Sequence, residues 1–279
     1  MNRAPRNFNM HISTPITFIA AVSDRKILEN NLLASDCLRA PHPHQILVQE
    51  GFRSSAAAYN DGIDQSVNDL LVFSHQDIIF PQPWLGDLER SLQLLETTDP
   101  NWGVLGCYGI TGDNQARGHI YSHGHGILQG PCDPPQPVQT LDEIVLILRK
   151  SSGLRFDDTL PDFHMYGVDI CMRAAKQGRK SYAIDAFCIH NSTFNLVLPK
   201  GFYDCYRHIQ QTWRGFLPIQ TSCVRITRFG IPMYERRASE FYLRYFRHKK
   251  IGAVRTTDVP RLLDTVQALQ KQVNLPGVG

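Results

Sequence analysis

The residues best suited to carry chemistry are His75, Gln76 and Asp77, which directly follow the apolar run at residues 70–73. Such a run is typical of a strand buried on both faces, and the change to polar side chains marks its end. Ligands of open α/β sheets bind at the carboxyl ends of the strands. A carboxylate there is suited to bind a hard divalent cation together with substrate phosphates. The alternative is that Asp77 only begins a turn before Pro81.

Two other polar groups also follow apolar runs. Ser23 and Asp24 follow residues 16–22, and His190 follows residues 181–188. If these strands are neighbours in a parallel sheet, their ends form one crevice with the end of residues 70–73. A polar group, a carboxylate and a histidine in that crevice would suit a nucleotide diphosphate bound through a divalent cation.

Alternating strand and helix patterns position these groups. Strands are predicted at residues 16–22, 45–49 and 70–73, with helices at residues 25–40 and 54–63, the second capped by Ser54. This order implies right-handed βαβ crossovers and a largely parallel sheet. Further along, the pattern predicts helices at residues 84–95 and 166–178, strands at residues 104–108, 144–148 and 181–188, and loops with short strands at residues 112–137.

Composition is that of an ordinary globular protein. The 279 residues carry a formal net charge of +3, too small to indicate nucleic acid as a partner. Seven widely spaced cysteines without a CxxC pair favour reduced thiols over a disulfide framework. No run approaches the roughly 20 apolar residues that span a bilayer. We therefore expect a cytoplasmic protein, with peripheral attachment at the inner face of the membrane left open.

Three regions follow from these patterns. Residues 1–14 read as a flexible leader, residues 15–199 as one α/β domain, and residues 200–279 as a helical C-terminal extension. Aromatic and basic residues alternate over residues 203–250. We consider two interpretations of that stretch: a solvated helical face, or contact with anionic lipid head groups or a lipid-diphosphate acceptor.

The ordered set of motifs resembles a known family. Residues 16–24, 54–62, 71–77, 156–173 and 190–192 together resemble the family-two glycosyltransferases of the GT-A fold, and residues 213–219 resemble the tail of the same branch. The likeness is to the bacterial branch that carries His-Gln-Asp in place of Asp-X-Asp. It implies an α/β, Rossmann-like fold with a mainly parallel central sheet flanked by helices.

The resemblance also implies a reaction and a set of ligands. It implies inverting transfer of a sugar from a nucleotide-diphosphate sugar to the hydroxyl of a glycan, lipid-linked or small-molecule acceptor, in bacterial polysaccharide or glycoconjugate synthesis. Asp77 and His190 would bind Mn²⁺ or Mg²⁺, which neutralises the charge of the leaving diphosphate. Ser23, Asp24 and Ser54 would contact the donor, as would His75 and Gln76.

An inverting transfer needs a base for the acceptor proton. In the family this is the second residue of a Glu-Asp pair at the start of a helix, where this sequence has Tyr166 and Gly167. Asp169 is the carboxylate that remains, and Asp162 and His164 are the other candidates. For Asp169 the structural alternative is an ion pair with Arg173, four residues further along the same helix.

Two other functions remain open at this point. The missing Glu-Asp pair would also suit a non-catalytic module that binds nucleotide sugars or glycans. His119, His123 and His125 form the second cluster, in which alternating histidines on a strand would point to the same face and could bind zinc as in a hydrolase. The alternative for this cluster is a loop beside the acceptor site, which we favour because no carboxylate or cysteine stands at ligand spacing.

Overall fold

The computed structural model describes residues 14–39 and 41–273. The predicted leader at residues 1–14 therefore lies, apart from Thr14, outside the described residues. Alternation of strands and helices over the first part of the chain is confirmed: β1 Ile16–Val22, α1 Arg25–Asn30, β2 Gln45–Glu50, α2 Ser55–Gln65, β3 Leu70–His75.

The remaining elements follow in chain order. From the middle of the chain these are β4 Ile78–Ile79, α3 Trp84–Thr98, β5 Val104–Gly106, β6 Tyr108–Ile110, β7 Ala116–Ser122, β8 Gly126–Gly130, β9 Gln136–Val138, β10 Thr140–Leu141 and β11 Val145–Arg149. From the last part they are α4 Tyr166–Lys176, β12 Ser181–Ala183, β13 Cys188–His190, β14 Phe194–Asn195, α5 Lys200–Thr212, α6 Ile231–Tyr245, β15 Ile251–Ala253 and α7 Val259–Val273.

The central sheet has the strand order β2-β1-β3-β11-β5-β12-β9. Strands β2, β1 and β3 are parallel, β5 and β12 are parallel, and β11 and β9 run opposite to their neighbours. Residues 70–74 of β3 are all buried, as expected for a strand covered on both faces. The predicted α/β fold with a mainly parallel central sheet is confirmed.

A second sheet, in the order β10-β6-β7-β13-β4, corrects two predicted strands. Residues 104–108 divide between β5 in the central sheet and β6 in the second sheet. Residues 181–188 divide in the same way between β12 and β13. Each predicted strand is therefore replaced by two short strands in different sheets, because the chain passes from one sheet to the other at Cys107 and again at residues 184–187.

The first helix is shorter than predicted. It ends at Asn30 and is followed by two short 3₁₀ turns at Leu32–Ala34 and Asp36–Leu38. The side chain of Asn31 donates a hydrogen bond to the carbonyl of Ile27 at 2.8 Å and accepts another from Asn191 at 2.8 Å. Side-chain bonds of this kind compete with the helical ladder, which explains the early end.

The part of the chain after residue 199 packs against the α/β core. Ten buried residues from residues 202–233, among them Phe202, Tyr206 and Trp213, belong to the same hydrophobic cluster as Ile19 and Leu71. Helix α7 covers a smaller cluster that is built around the second sheet. The division at residue 199 stays a prediction, but the core is continuous across it.

Two further observations concern the whole described chain. Within residues 14–39 and 41–273, no helix is long and apolar enough to cross a membrane. All seven cysteines lie in that part of the chain, and none is joined to another.

Candidate active site

The ends of β1 and β3 lie side by side, because the two strands are parallel neighbours with Ala21 opposite His75. The side chain of Gln76 accepts hydrogen bonds from the backbone N–H groups of Ser23 and Asp24, both at 3.0 Å, and donates one to the hydroxyl of Ser23 at 3.0 Å. Asp24 in turn caps α1 through the backbone N–H groups of residues 26 and 27. Gln76 therefore fixes the loop after β1.

His75, Asp77 and His190 converge behind this loop. Nε2 of His190 lies 3.4 Å from Nδ1 of His75 and 3.3 Å from a carboxylate oxygen of Asp77. One atom from each side chain lies within 4.8 Å of the others, a spacing that could hold one metal ion. Two imidazoles and a carboxylate are a common donor set for divalent transition metals, so the residues fit a cation.

Arg255 bonds to the second carboxylate oxygen of Asp77. The guanidinium also donates to the carbonyl of Asn191 at 2.8 Å. Burial by itself would raise the pKa of Asp77, but the neighbouring groups of His190, His75 and Arg255 outweigh burial and hold the pKa below its usual range. Asp77 is therefore ionised at neutral pH, and its other oxygen faces His190.

His75 is held by partners on both of its ring nitrogens. Its Nε2 lies 2.8 Å from the hydroxyl of Tyr166, and that hydroxyl donates to the backbone carbonyl of Glu143 at 2.8 Å. Burial lowers the pKa of His75 to about 4. The ring is consequently neutral at pH 7 and retains a nitrogen lone pair, as a metal ligand requires.

A cavity of about 540 Å³ opens at this site and is lined by His75 and His190 on one side and by Asp142, Glu143 and His164 among its other residues. A nucleotide sugar is of the size that such a cavity accepts. The cavity therefore brings the candidate cation site together with several acid-base groups.

The carboxylate of Glu143 lies at the N-terminal end of α4. The backbone N–H groups of Met165, Tyr166 and Gly167 form hydrogen bonds to it, so its carboxylate sits on the positive end of the helix. Burial, and then the negative charge of Asp142, nevertheless raise its pKa well above the ordinary value. A Cβ at Gly167 would lie 2.9 Å from Cγ of Glu143. Glycine at this position therefore makes room for the Glu143 side chain.

The three sequence-derived base candidates differ in their surroundings. Asp169 has no exposed surface, and its two oxygens accept from Arg173 Nε at 2.6 Å and Trp213 Nε1 at 2.8 Å. Asp162 accepts from the N–H of Phe163 at 2.6 Å in the loop before α4. Of the three, His164 lines the cavity, and burial lowers its pKa.

Ser54 lies apart from this chemistry. Its side chain is buried and caps α2 by accepting from the N–H of Ala57 at 3.3 Å. The serine was recognisable as a helix cap from sequence, and that role is confirmed. A contact between Ser54 and a donor stays a prediction.

The histidine cluster adopts a different arrangement from the one that zinc binding requires. Strand β7 ends at Ser122, so His123 and His125 lie in the turn before β8. His123 contacts the hydroxyl of Tyr121 at 3.3 Å, His125 packs on Phe194, and His119 packs on Phe187. Within the described residues, His75, Asp77 and His190 form the one group of three that could hold a metal. The zinc-site alternative therefore has no support.

Sequence reasoning did not assign Glu143 and Arg255 to the site. Glu143 carried a visible signal, because an acidic pair directly precedes the apolar run at residues 144–148. Arg255 carried none, since it is 178 residues from Asp77 and reaches it only through the folded C-terminal segment.

Comparison with known proteins adds a family. Residues 17–209 match the model of a family described as a glycosyltransferase-like family. Among curated proteins, the chain is similar to ATP synthase subunits region ORF 6 of Fuscovulum blasticum, with 25% identity over 167 residues. That match covers 53% of this chain and 61% of the relative, so the chain spans less than two thirds of the relative's length.

Similar solved structures include a mannosyltransferase. The mannosyltransferase PcManGT from Pyrobaculum calidifontis, in complex with GDP-Man and Mn²⁺, is 12% identical, with a TM-score of 0.45 and coverage of 95% of this chain and 76% of that chain. Residues 1–349 of TarS from S. aureus are 10% identical, with a TM-score of 0.43 and coverage of 84% and 73%.

Proposed function

The chain belongs to the glycosyltransferase-like family, and we propose that it transfers a sugar from a nucleotide-diphosphate sugar to an acceptor hydroxyl, with inversion at the anomeric carbon and with a divalent cation at the site. The observation that carries the proposal is the convergence of His75, Asp77 and His190 beside a cavity that also holds the Glu143 carboxylate.

The cation would be held by His75, His190 and the Asp77 oxygen that faces His190. When bound, it would supply positive charge to the leaving diphosphate. Nitrogen ligands suit Mn²⁺ better than Mg²⁺, which prefers oxygen ligands and water, so Mn²⁺ is the expected ion. Arg255 holds the second oxygen of Asp77, and a hydrogen bond of this kind orients a metal-binding carboxylate.

Glu143 is the proposed general base. The family places its base at the second residue of helix α4, which is Gly167 here, and the Glu143 side chain fills the space that a side chain on Gly167 would need. As the acceptor oxygen bonds to the anomeric carbon and the bond from that carbon to the diphosphate breaks, the acceptor proton passes to the Glu143 carboxylate. Because the pKa of Glu143 is raised by burial and by the charge of Asp142, its carboxylate is a stronger base than that of an ordinary glutamate.

Asp169 is assigned a positioning role. Both of its oxygens are bonded within the protein, and it has no exposed surface from which to reach an acceptor. Its bond with Arg173 lies within α4, and its bond with Trp213 joins α4 to the residue that follows α5. His164 lines the cavity and stays the second candidate for the base.

The direct test is a thermal-shift screen of nucleoside diphosphates and nucleotide sugars, with and without Mn²⁺. A ligand at a hundred times its dissociation constant should stabilise the folded protein by about 2.7 kcal/mol. We expect a Mn²⁺-dependent shift for one nucleotide class, lost in His190→Gln and retained in the control His123→Gln. The control lies in the turn between β7 and β8, outside the proposed metal ligands.

Two outcomes would contradict the proposal. If no nucleotide changed the melting temperature, the protein would have no donor site of the proposed kind. A Mn²⁺-dependent shift with neither sugar transfer nor donor hydrolysis, over a panel of acceptors, would favour the non-catalytic binding module instead.

A further inference from the structure

Large apolar side chains that face solvent are concentrated in one part of the chain. Of fourteen such residues in the described part of the chain, nine lie within residues 229–254. The nine are Phe229, Ile231, Tyr234, Phe241, Tyr242, Tyr245, Phe246, Ile251 and Val254. Single exposed apolar residues are normal, but a contiguous group marks an interaction surface. We call these nine residues, with the basic residues between them, the α6 surface.

Helix α6 is anchored to the protein by its other face. Met233 and Glu240 are buried, and Glu240 accepts hydrogen bonds from Arg236 at 2.9 Å and from the N–H of Leu198 at 3.1 Å. On the outer face, spacings of seven and four residues align Tyr234, Phe241 and Tyr245 in one stripe. The centroids of the Phe241 and Tyr245 rings are 4.5 Å apart, so these two exposed rings pack against each other.

The same region concentrates positive charge. Residues 225–250 contain eight Lys and Arg and two Glu, a formal charge of +6. The whole chain carries +3, so the rest of the molecule carries a net −3. Arg237, Arg244, Arg247, Lys249 and Lys250 are all exposed. The α6 surface therefore combines most of the exposed large apolar side chains of the described residues with a net positive charge.

This combination selects among partners. A second copy of the chain would bring two surfaces of like charge together, which costs free energy. A nucleic acid would satisfy the basic residues but not Ile231, Ile251 and Val254. An anionic bilayer satisfies both, because aromatic and aliphatic side chains enter the head-group boundary while Lys and Arg meet lipid phosphates. We propose that the α6 surface docks on an anionic lipid bilayer.

A second cavity lies beside the α6 surface and adjoins the cavity at the candidate active site. It holds about 480 Å³ between α5 and α6, is lined by Arg237, Phe241 and Tyr245, and shares Leu198 and Pro199 with the first cavity. Docking would therefore hold the active-site cavity near the bilayer, where a lipid-linked acceptor presents its hydroxyl. This last consequence rests on the proposed function, whereas the docking itself does not.

The experiment is co-sedimentation of the full chain with vesicles, without donor or cation. Vesicles of phosphatidylcholine alone are compared with equal parts of phosphatidylcholine and phosphatidylglycerol. We expect binding to the anionic vesicles only, weakened by salt. Lys249→Gln with Lys250→Gln should weaken binding about fivefold for each cation removed, and Phe241→Ser with Tyr245→Ser should also weaken it.

Matched controls separate the surface from general effects. Lys176→Gln with Lys180→Gln removes the same charge from exposed positions around the end of α4, and Val67→Ser removes an exposed apolar side chain elsewhere. Both controls should bind as the parent chain does.

Several results would overturn the proposal. Equal binding to both vesicle types, or equal losses in the control and α6 variants, would show that the surface is not selective for anionic lipid. Binding of single-stranded RNA but not of vesicles would assign the surface to nucleic acid. Self-association without vesicles, lost in the aromatic variant, would assign it to a second copy. Because no donor is present, failure here is distinguishable from failure of the proposed transfer reaction.

Discussion

The carboxylates of Glu143 and Asp169 both lie near the start of α4, and both are buried or partly buried. Their surroundings nevertheless suit them to different tasks. Asp169 faces Arg173 and Trp213, and both of its oxygens are used. Glu143 faces the cavity and the helix amides, with Asp142 as a neighbouring negative charge. The first arrangement holds two elements together. The second leaves a carboxylate available to take up a proton.

The residue-scale prediction compares Glu143→Gln with Asp169→Asn. The first should abolish most sugar transfer while preserving the Mn²⁺-dependent thermal shift, because it removes a proton acceptor and no donor contact. The second should lower the free energy of unfolding by about 1–3 kcal/mol, because it weakens the bonds of a buried carboxylate. Transfer assays and urea unfolding of both variants measure the two effects.

The transfer rate and the free energy of unfolding should both depend on the protonation of Glu143, in opposite directions. Transfer requires the deprotonated carboxylate, so the rate should rise with pH through a pKa above the usual glutamate value of about 4.3. Stability should change in the opposite direction, because the folded state binds the proton of Glu143 more tightly than the unfolded state does. The contribution of Glu143 to the free energy of unfolding therefore falls as pH rises from its unfolded-state pKa to its folded-state pKa. Glu143→Gln should therefore melt higher than the parent at neutral pH.

A different base would give a different result. If His164→Gln removed transfer and Glu143→Gln did not, the base would be His164. Loss of transfer in Asp169→Asn, without loss of stability, would return the role to Asp169.

At the scale of elements, a short strand pairing controls the surroundings of the proposed metal site. Strand β15 pairs with β14, and the chain then delivers Arg255 to Asp77. Thr256 adds a second connection, since its N–H donates to Asn191 at 3.1 Å and its carbonyl accepts from Asn191 at 2.9 Å. The C-terminal segment is thereby part of the candidate site.

This pairing depends on a glycine. A Cβ at Gly252 would lie 2.5 Å from Cδ1 of Phe194, so Gly252→Ala should displace β15. We expect it to reduce Mn²⁺ affinity as Arg255→Gln does, by about 10–100-fold, because both changes remove a partner that orients the metal-binding carboxylate. Gly86→Ala is the control, since a Cβ there meets no atom within 4 Å. Calorimetric Mn²⁺ titration checks all three, and tighter binding in Arg255→Gln would instead show that the guanidinium competes with the cation.

The same elements explain which features the sequence could predict. Strand β3 and the cap at Ser54 depend on neighbouring residues, so local pattern was sufficient. The division of residues 181–188 between two sheets was not predictable, because apolar residues look alike whichever sheet they enter. The contact between Arg255 and Asp77 was even less predictable, because the two residues are 178 positions apart and meet only when the C-terminal segment docks on the core. The Glu143 role required knowing that Gly167 lies against it.

At the scale of the whole molecule, the part of the chain after residue 199 contributes to the hydrophobic core, to the candidate metal site and to the exposed surface. Residues 202–233 contribute ten buried side chains to the main hydrophobic cluster. Arg255 reaches the candidate metal site, and α6 presents the basic, aromatic surface. A chain divided at residue 199 would separate these features from the α/β core against which they pack.

Truncation tests this integration. A chain ending at residue 199 loses ten buried side chains, each worth about 1.5–3 kcal/mol, more than the roughly 5–15 kcal/mol that stabilises a typical domain. We expect it not to fold. A chain ending at residue 257 loses α7, with buried Leu262 and Val266, but retains Arg255 and the main core. It should lose about 3–6 kcal/mol, melt lower by circular dichroism, and retain the Mn²⁺-dependent nucleotide shift. If the chain ending at residue 199 folded and bound nucleotide, the α/β domain would be autonomous, and the continuous core would not be needed for its stability.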